Sequence, residues 1–282
     1  KDVSRSFAAV IIQLHPELRD AVCLFYLVLR ALDTVEDDMS IPIPEKKAIL
    51  PLFHEKLELD DWCVKGIGHG QERNLLENFP KMAREFRKLK KAYQVVIADI
   101  CHEMAMGMCF YLENDVKTKA DYDKYCHYVA GLVGHGLTRL FAASGLENPR
   151  LADDLSTSDS MGLFLQKANI IRDYYEDILE DPPRIFWPRE IWGNFTDALH
   201  KFRKPEHKKE ALECLNAMVT DALKHVPDCI DYMLALKEPS VFLFCAIPQV
   251  MAIATLNQLY NNHKIFNEKV KIRKGQACDI IL

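Results

Sequence analysis

Apolar residues along this chain recur at three- and four-residue intervals, the period of a helix face, and the alternating β-branched runs of a sheet are missing. The pattern predicts helices over 16–38, 45–57, 81–112 (as one helix or two), 121–144, 160–177, 205–236 and 241–262. Pro16-Glu17 supplies the proline and the acid of a first helical turn. Other prolines stand mostly at the seams: Pro42 and Pro44 follow the first long helix, and Pro149, Pro182, Pro183, Pro188, Pro205, Pro227 and Pro239 punctuate the rest. The loop over 62–70 carries Gly66-x-Gly68-x-Gly70, but it follows no strand and so lacks the context of a nucleotide-binding turn. No internal repeat and no long linker divides the chain. One all-α domain over 1–282 is expected.

The stretch 16–38 is apolar nearly all round. From Ala21 to Leu32 only Arg30 is charged, so this helix belongs in a core. Yet Tyr26, Arg30, Asp33 and Asp37 step by 4, 3 and 4 and share one face. A second apolar stretch, 160–177, carries Gln166, Asn169, Asp173 and Asp177 at steps of 3, 4 and 4. One such stripe alone reads equally well as solvated surface acid. Two together, each at a helix C-terminus where acids oppose the macrodipole, call for cations. Hard oxygens at i,i+4 suit Mg²⁺. Magnesium ions held between the stripes would polarise a diphosphate as a leaving group. An allylic carbocation left behind needs a dry apolar cavity, which a large helical core provides.

Composition then narrows the partners. Apolar residues make up 49% and charged residues 27% of 282, which excludes a disordered chain. Only 11 glycines agree with long helices. The formal charge of −5 argues against nucleic acid, which needs a basic excess. Nine cysteines, an odd number without a C-x-x-C, read as reduced thiols rather than disulfides or a zinc site. His102-Glu103 lacks a second histidine four residues on, where Met106 stands, and His127 and His135 read as packing or surface groups. No signal peptide is evident. The longest apolar run, 241–256, is broken by Pro248, Gln249 and Thr255 and falls short of the ~20 residues a membrane span needs, so a buried core helix in a soluble chain is expected.

The segments 26–38, 125–134, 166–177, Phe186-Trp187-Pro188 and 244–256 resemble the squalene synthases of the head-to-head prenyl synthase family, in family order along the chain. The resemblance implies an isoprenoid synthase-type all-α fold around a central cavity. It implies condensation of two farnesyl diphosphates to presqualene diphosphate, then NADPH-dependent rearrangement to squalene. Asp33, Glu36 and Asp37 match the first aspartate-rich motif, and Asp173 with Asp177 the second, as Mg²⁺ ligands. Tyr125 matches a tyrosine that is a candidate for moving a proton in the first half-reaction, with the released diphosphate as the alternative relay. Val129, Val133 and Leu137 would line the isoprenoid tunnel, although Gly131, Gly134 and Gly136 in the same stretch also suit simple close packing. Ser4, Ser6, Phe7, Tyr26, Gln166 and Asn169 would contact substrate, and Phe242, Phe244, Cys245 and Pro248 would wall the second pocket.

Arg5, Arg30 and Arg172 match arginines placed against diphosphate and cofactor phosphates, a role that fits guanidinium chemistry. Arg30 with Asp33, or Arg172 with Glu176, would otherwise form ordinary intrahelical pairs. The stretch 264–274 holds five bases and one acid. Within it, Lys271 and Arg273 match a loop implicated in NADPH binding. The resemblance further implies a C-terminal membrane anchor that this chain lacks, and an endoplasmic reticulum membrane location with the catalytic region facing the cytosol. A monomer is the working expectation. The rival readings are a reductant-free dehydrosqualene or phytoene synthase, and a helical interaction protein that kept only the fold; acids at all five stripe positions oppose the second.

Overall fold

The computed structural model describes residues 5–273 and Gly275, with side chains from residue 8 onward. Ser4 lies outside the described residues, as do the side chains of Arg5, Ser6 and Phe7, whose backbones open α1 (Arg5–Gln13). The described residues contain no strand. They group into two compact units: the described parts of Lys1–Glu113, Leu132–Leu155 and Ala235–Phe244, and of Asn114–Gly131, Ser156–Leu234 and Cys245–Leu282.

In the first unit α2 (Pro16–Asp37) runs as its pattern predicts and buries eleven residues, from Leu18 to Val35. Each fully buried Leu, Val or Phe there contributes about 1.5–3 kcal/mol relative to exposure. The stretch expected as 45–57 becomes α3 (Ile43–Ile49) followed by a tighter 3₁₀ segment, Leu50–Glu58. Pro51, which lacks an N–H, stands at that junction. After α4 (Gly70–Glu77), the stretch 81–112 divides into α5 (Phe79–Phe86) and α6 (Lys91–Tyr111). Gln94 Nε2 closes the break by donating to Arg87 O at 3.0 Å and Leu89 O at 2.8 Å. α8 (Leu132–Ser144) packs on α2 and α6. Gly136 is required for that approach, because a Cβ would overlap the Phe25 ring and stand 3.0 Å from Ile100.

The second unit centres on α9 (Ser156–Arg172), which packs against α7 (Lys119–Cys126), α12 (Lys208–Leu223) and α13 (Val226–Leu234). Between α7 and α8 the chain widens into one π-helical turn, His127–Gly131. The even four-residue step expected over 121–144 is therefore interrupted. Two contacts account for the turn. His127 Nδ1 hydrogen-bonds Asp159 Oδ1 at 2.6 Å, and Gly131 has no room for a side chain beside the Asp159 carboxylate. Gly162 lies so close to the Ala130 carbonyl that a methyl group would overlap it. α10 (Tyr174–Asp177) and α11 (Arg189–Trp192) follow, backed by edge-on aromatic packing of Tyr174 and Phe266 at 4.9 Å.

α14 (Pro239–Leu259) is longer than the apolar run that marked it. By length and composition it could cross a membrane, while 44% of its most apolar window is buried within the protein. Gln249 Nε2 donates to Met161 O at 3.1 Å while its buried Oε1 has no hydrogen-bond donor, and Thr255 Oγ1 donates to Met251 O at 2.8 Å. The eight described cysteines are all free thiols, six of them buried.

Candidate active site

The first stripe occupies the last turns of α2. Tyr26, Arg30, Asp33 and Glu36 are half-buried, and Asp37 is exposed. Burial raises the Asp33 carboxyl to about 8, and the charge of neighbouring Asp37 raises it further against the opposing pull of Arg30. A carboxylate held in that state is poised for a divalent cation, which would replace the missing counter-charge. Arg30 does not pair with Asp33 as an intrahelical partner. Its Nη2 instead donates to Glu72 Oε1 on α4 at 2.5 Å, and its buried Nε has no hydrogen-bond acceptor. That unmatched N–H is a ready donor for a phosphate oxygen.

The acid run ends in two groups with other duties. Asp38 accepts from Gly68 N at 2.7 Å and from Ser40 N at 2.9 Å, which pulls its carboxyl down to about 2. Gly66, Gly68 and Gly70 all have positive φ. The Gly66-x-Gly68-x-Gly70 loop is thus a turn folded against α2 through Gly68. Lys46, 4% exposed, donates to the Glu36 carbonyl and neutralises the negative end of α2.

The second stripe lies within the other unit. Gln166 and Asn169 are half-buried on α9, and the helix kinks at Asp173, with φ −89° and ψ 3°. The kink keeps the four-residue step, because Asp173 N still reaches Asn169 O at 2.9 Å and Asp177 N reaches Asp173 O at 3.0 Å. Arg172 clamps Asp173 with two 2.7 Å bonds, not Glu176. Burial raises Asp177 to about 7, with Arg184 pulling the other way. The Arg184 guanidinium lies 5.1 Å above the Phe186 ring, and Phe186 stacks on Tyr125 at 5.0 Å and 19°. Tyr125 is therefore linked to the surroundings of Asp177 through Phe186 and Arg184. Lys269 pairs with Glu176, whose carboxyl this bond and then the charge of Lys271 pull down. The basic segment expected to bind a cofactor thus reaches the end of the second stripe. Lys271 and Arg273 themselves are exposed.

The expected apolar wall is less uniform. Val129 lies in the π turn, and Val133 and Leu137 follow on α8, all half-buried. Phe244 is core, edge-on to Phe141 at 6.2 Å, and Cys245 is buried. Phe242 is 41% exposed, and Pro248 is half-buried within α14. Sequence reasoning missed Glu72, Arg184 and Lys269. Glu72 and Lys269 join their stripes from separate segments, Glu72 lying 42 residues from Arg30 and Lys269 lying 93 from Glu176, whereas Arg184 follows shortly after Asp177 and its N–H donates to the Asp177 carbonyl at 3.0 Å.

The chain is similar to several known proteins. The squalene/phytoene synthase family model matches residues 1–276. Squalene synthase of Rattus norvegicus is 54% identical over 279 residues, 99% of this chain and 66% of that protein. The chain thus spans just under two thirds of that relative's length. A solved structure of TcSQS with the ligand BPH1237 is 61% identical, with a TM-score of 0.97 over 99% of this chain and 82% of the other. A dehydrosqualene synthase in complex with a ligand shares the fold, with a TM-score of 0.73 over 99% of this chain and 89% of that one, at 20% identity. The chain belongs to the squalene/phytoene synthase family.

Proposed function

We propose that residues 1–282 act as one catalytic domain that joins two farnesyl diphosphates head to head into presqualene diphosphate and reduces this intermediate to squalene. The observation that carries the reading is the pair of stripe carboxyls raised by burial, Asp33 to about 8 and Asp177 to about 7, each with an arginine nearby. Carboxyls so perturbed by burial and by neighbouring acids cluster at functional sites. The identity of 54% to a squalene synthase favours this product over dehydrosqualene, whose synthase matches at 20%.

Asp33, Glu36 and Asp37, with Asp173 and Asp177, would hold Mg²⁺, an all-oxygen set suited to a hard cation. Magnesium bound there would neutralise the departing diphosphate, and bound NADPH would supply the reducing equivalent. Arg30 and Arg172 orient diphosphate oxygens through guanidinium bonds, the free Nε of Arg30 among them. Arg5, Lys271 and Arg273 bind the cofactor's phosphates. Ser4, Ser6, Phe7, Tyr26, Gln166 and Asn169 position the substrate head. Tyr125, held flat on Phe186, moves the proton lost when the cyclopropane closes. Val129, Val133, Leu137, Phe242, Phe244, Cys245 and Pro248 exclude water from the cationic stages. The protein works as a monomer, with its catalytic region at the cytosolic face of the endoplasmic reticulum membrane.

Purified protein incubated with farnesyl diphosphate and Mg²⁺ tests the reading. Squalene is expected only when NADPH is added, and presqualene diphosphate without it. Dehydrosqualene as the main product in the presence of NADPH would overturn it.

A further inference from the structure

Lys167 is the most deeply buried cation among the described residues, with no exposed surface, and no step above uses it. It lies on α9, next to Gln166 and two residues before Asn169. Its ammonium donates to Asp123 on α7 and, at 2.5 Å, to Asp221 on α12. It also sits 4.9 Å over the Tyr122 ring. Lys224 closes the circuit from the outside, at 3.0 Å from Asp123 and 3.1 Å from Asp221. Two lysines and two aspartates thus form a neutral ring with three helices around it.

A ring of this kind is a poor source of stability. Desolvating its charges roughly cancels their attraction, and apolar replacements of similar size often do as well. What it does supply is a single fixed arrangement, because any slip of one helix leaves a buried charge without its partner. The helices it fixes are informative. Asp123 precedes Tyr125 by two residues on α7, and α9 carries Gln166 and Asn169 and leads directly into Asp173. The hydrogen bond of His127 to Asp159 ties the same two chain segments at the far end of α9. Gly162 against the Ala130 carbonyl brings the two backbones into contact just beyond the His127 tie.

We propose that Lys167 is a positioning residue, which through Asp123 and Asp221 holds the Tyr125 phenol in register with the second aspartate stripe. This inference rests on the proposed role of Tyr125 in proton transfer. Small misplacements of a reacting group cost on the order of 10²-fold in rate without loosening substrate binding in proportion.

The test uses Lys167→Met together with Asp123→Asn, the second of which leaves Lys167 its bond to Asp221 and so protects the fold. Each is made in protein carrying 3-fluorotyrosine at position 125. In both variants the ¹⁹F resonance is expected to shift or broaden at temperatures well below melting. With farnesyl diphosphate, kcat is expected to fall about 10-fold or more while KM stays within about twofold. A resonance identical to wild type in both variants overturns the proposal, whether or not activity falls. If wild-type protein does not consume farnesyl diphosphate, the functional reading fails and the ¹⁹F comparison still decides the positioning role.

Discussion

Arg30 turns away from Asp33, one turn along its own helix, and bonds Glu72 at 2.5 Å instead. Asp33 is left as a half-buried carboxyl raised to about 8, so the first stripe is completed by an acid from α4 rather than neutralised by its own arginine. Both members of the Arg30–Glu72 pair are 35% exposed, and a pair of that kind is worth about 0–1 kcal/mol. Glu72→Gln should therefore leave the melting temperature within a few degrees of wild type. It should change KM for the diphosphate substrate several-fold by freeing the guanidinium. An unchanged KM would show that Arg30 does not meet the diphosphate.

Removing a stripe acid acts on chemistry rather than on folding. Asp33→Asn and Asp173→Asn should each lower kcat by at least about 10²-fold, the scale of losing one preorganised electrostatic contact. Circular dichroism should stay native. Retained turnover would sink the metal assignment.

The raised carboxyls also set a pH dependence. For Asp33 and Asp177 the folded state favours the protonated form, at about 8 and about 7, above the ordinary aspartate value of 3.8. Their contribution to stability is fully present below about pH 4 and is lost as pH rises through 7 to 8. In EDTA, melting temperature should thus fall between pH 5.5 and 8.5 by more in wild type than in Asp33→Asn. Magnesium should raise it most at the alkaline end, where its ligands are ionised. Equal slopes in the two proteins would contradict this.

Gly68 has φ +74°, and a methyl group there would stand 2.5 Å from Thr34 Cγ2. Gly68→Ala should destabilise the protein by about 1–2 kcal/mol from the left-handed backbone alone, with the Thr34 overlap adding to it. Chemical denaturation measures the loss, and no effect would mean the loop can leave α2 freely.

α2 was legible because everything that makes it is local: a proline and an acid in its first turn, apolar residues all round, and a proline-bounded end. Both aspartate stripes were legible for the same reason. The π turn at His127–Gly131 and the kink at Asp173 were not. The first depends on Asp159 and on the approach of Gly162 to Ala130, which are contacts across sequence. The apolar run in α14 marked a core helix, but not that Phe242 would stand exposed while Phe244 packed on Phe141. The Gly66-x-Gly68-x-Gly70 spacing did not show that Gly68 N would donate to Asp38 at the end of α2. Glu72 left no local signal, because it is recruited to Arg30 from 42 residues away, and the basic run 264–274 did not show that Lys269 would reach Glu176, 93 residues away.

The most direct measurement is product analysis after incubation with farnesyl diphosphate and Mg²⁺, run with and without NADPH. Squalene with NADPH and presqualene diphosphate without it are the expected products. Dehydrosqualene in the presence of NADPH, or no consumption of farnesyl diphosphate at all, would contradict the assignment.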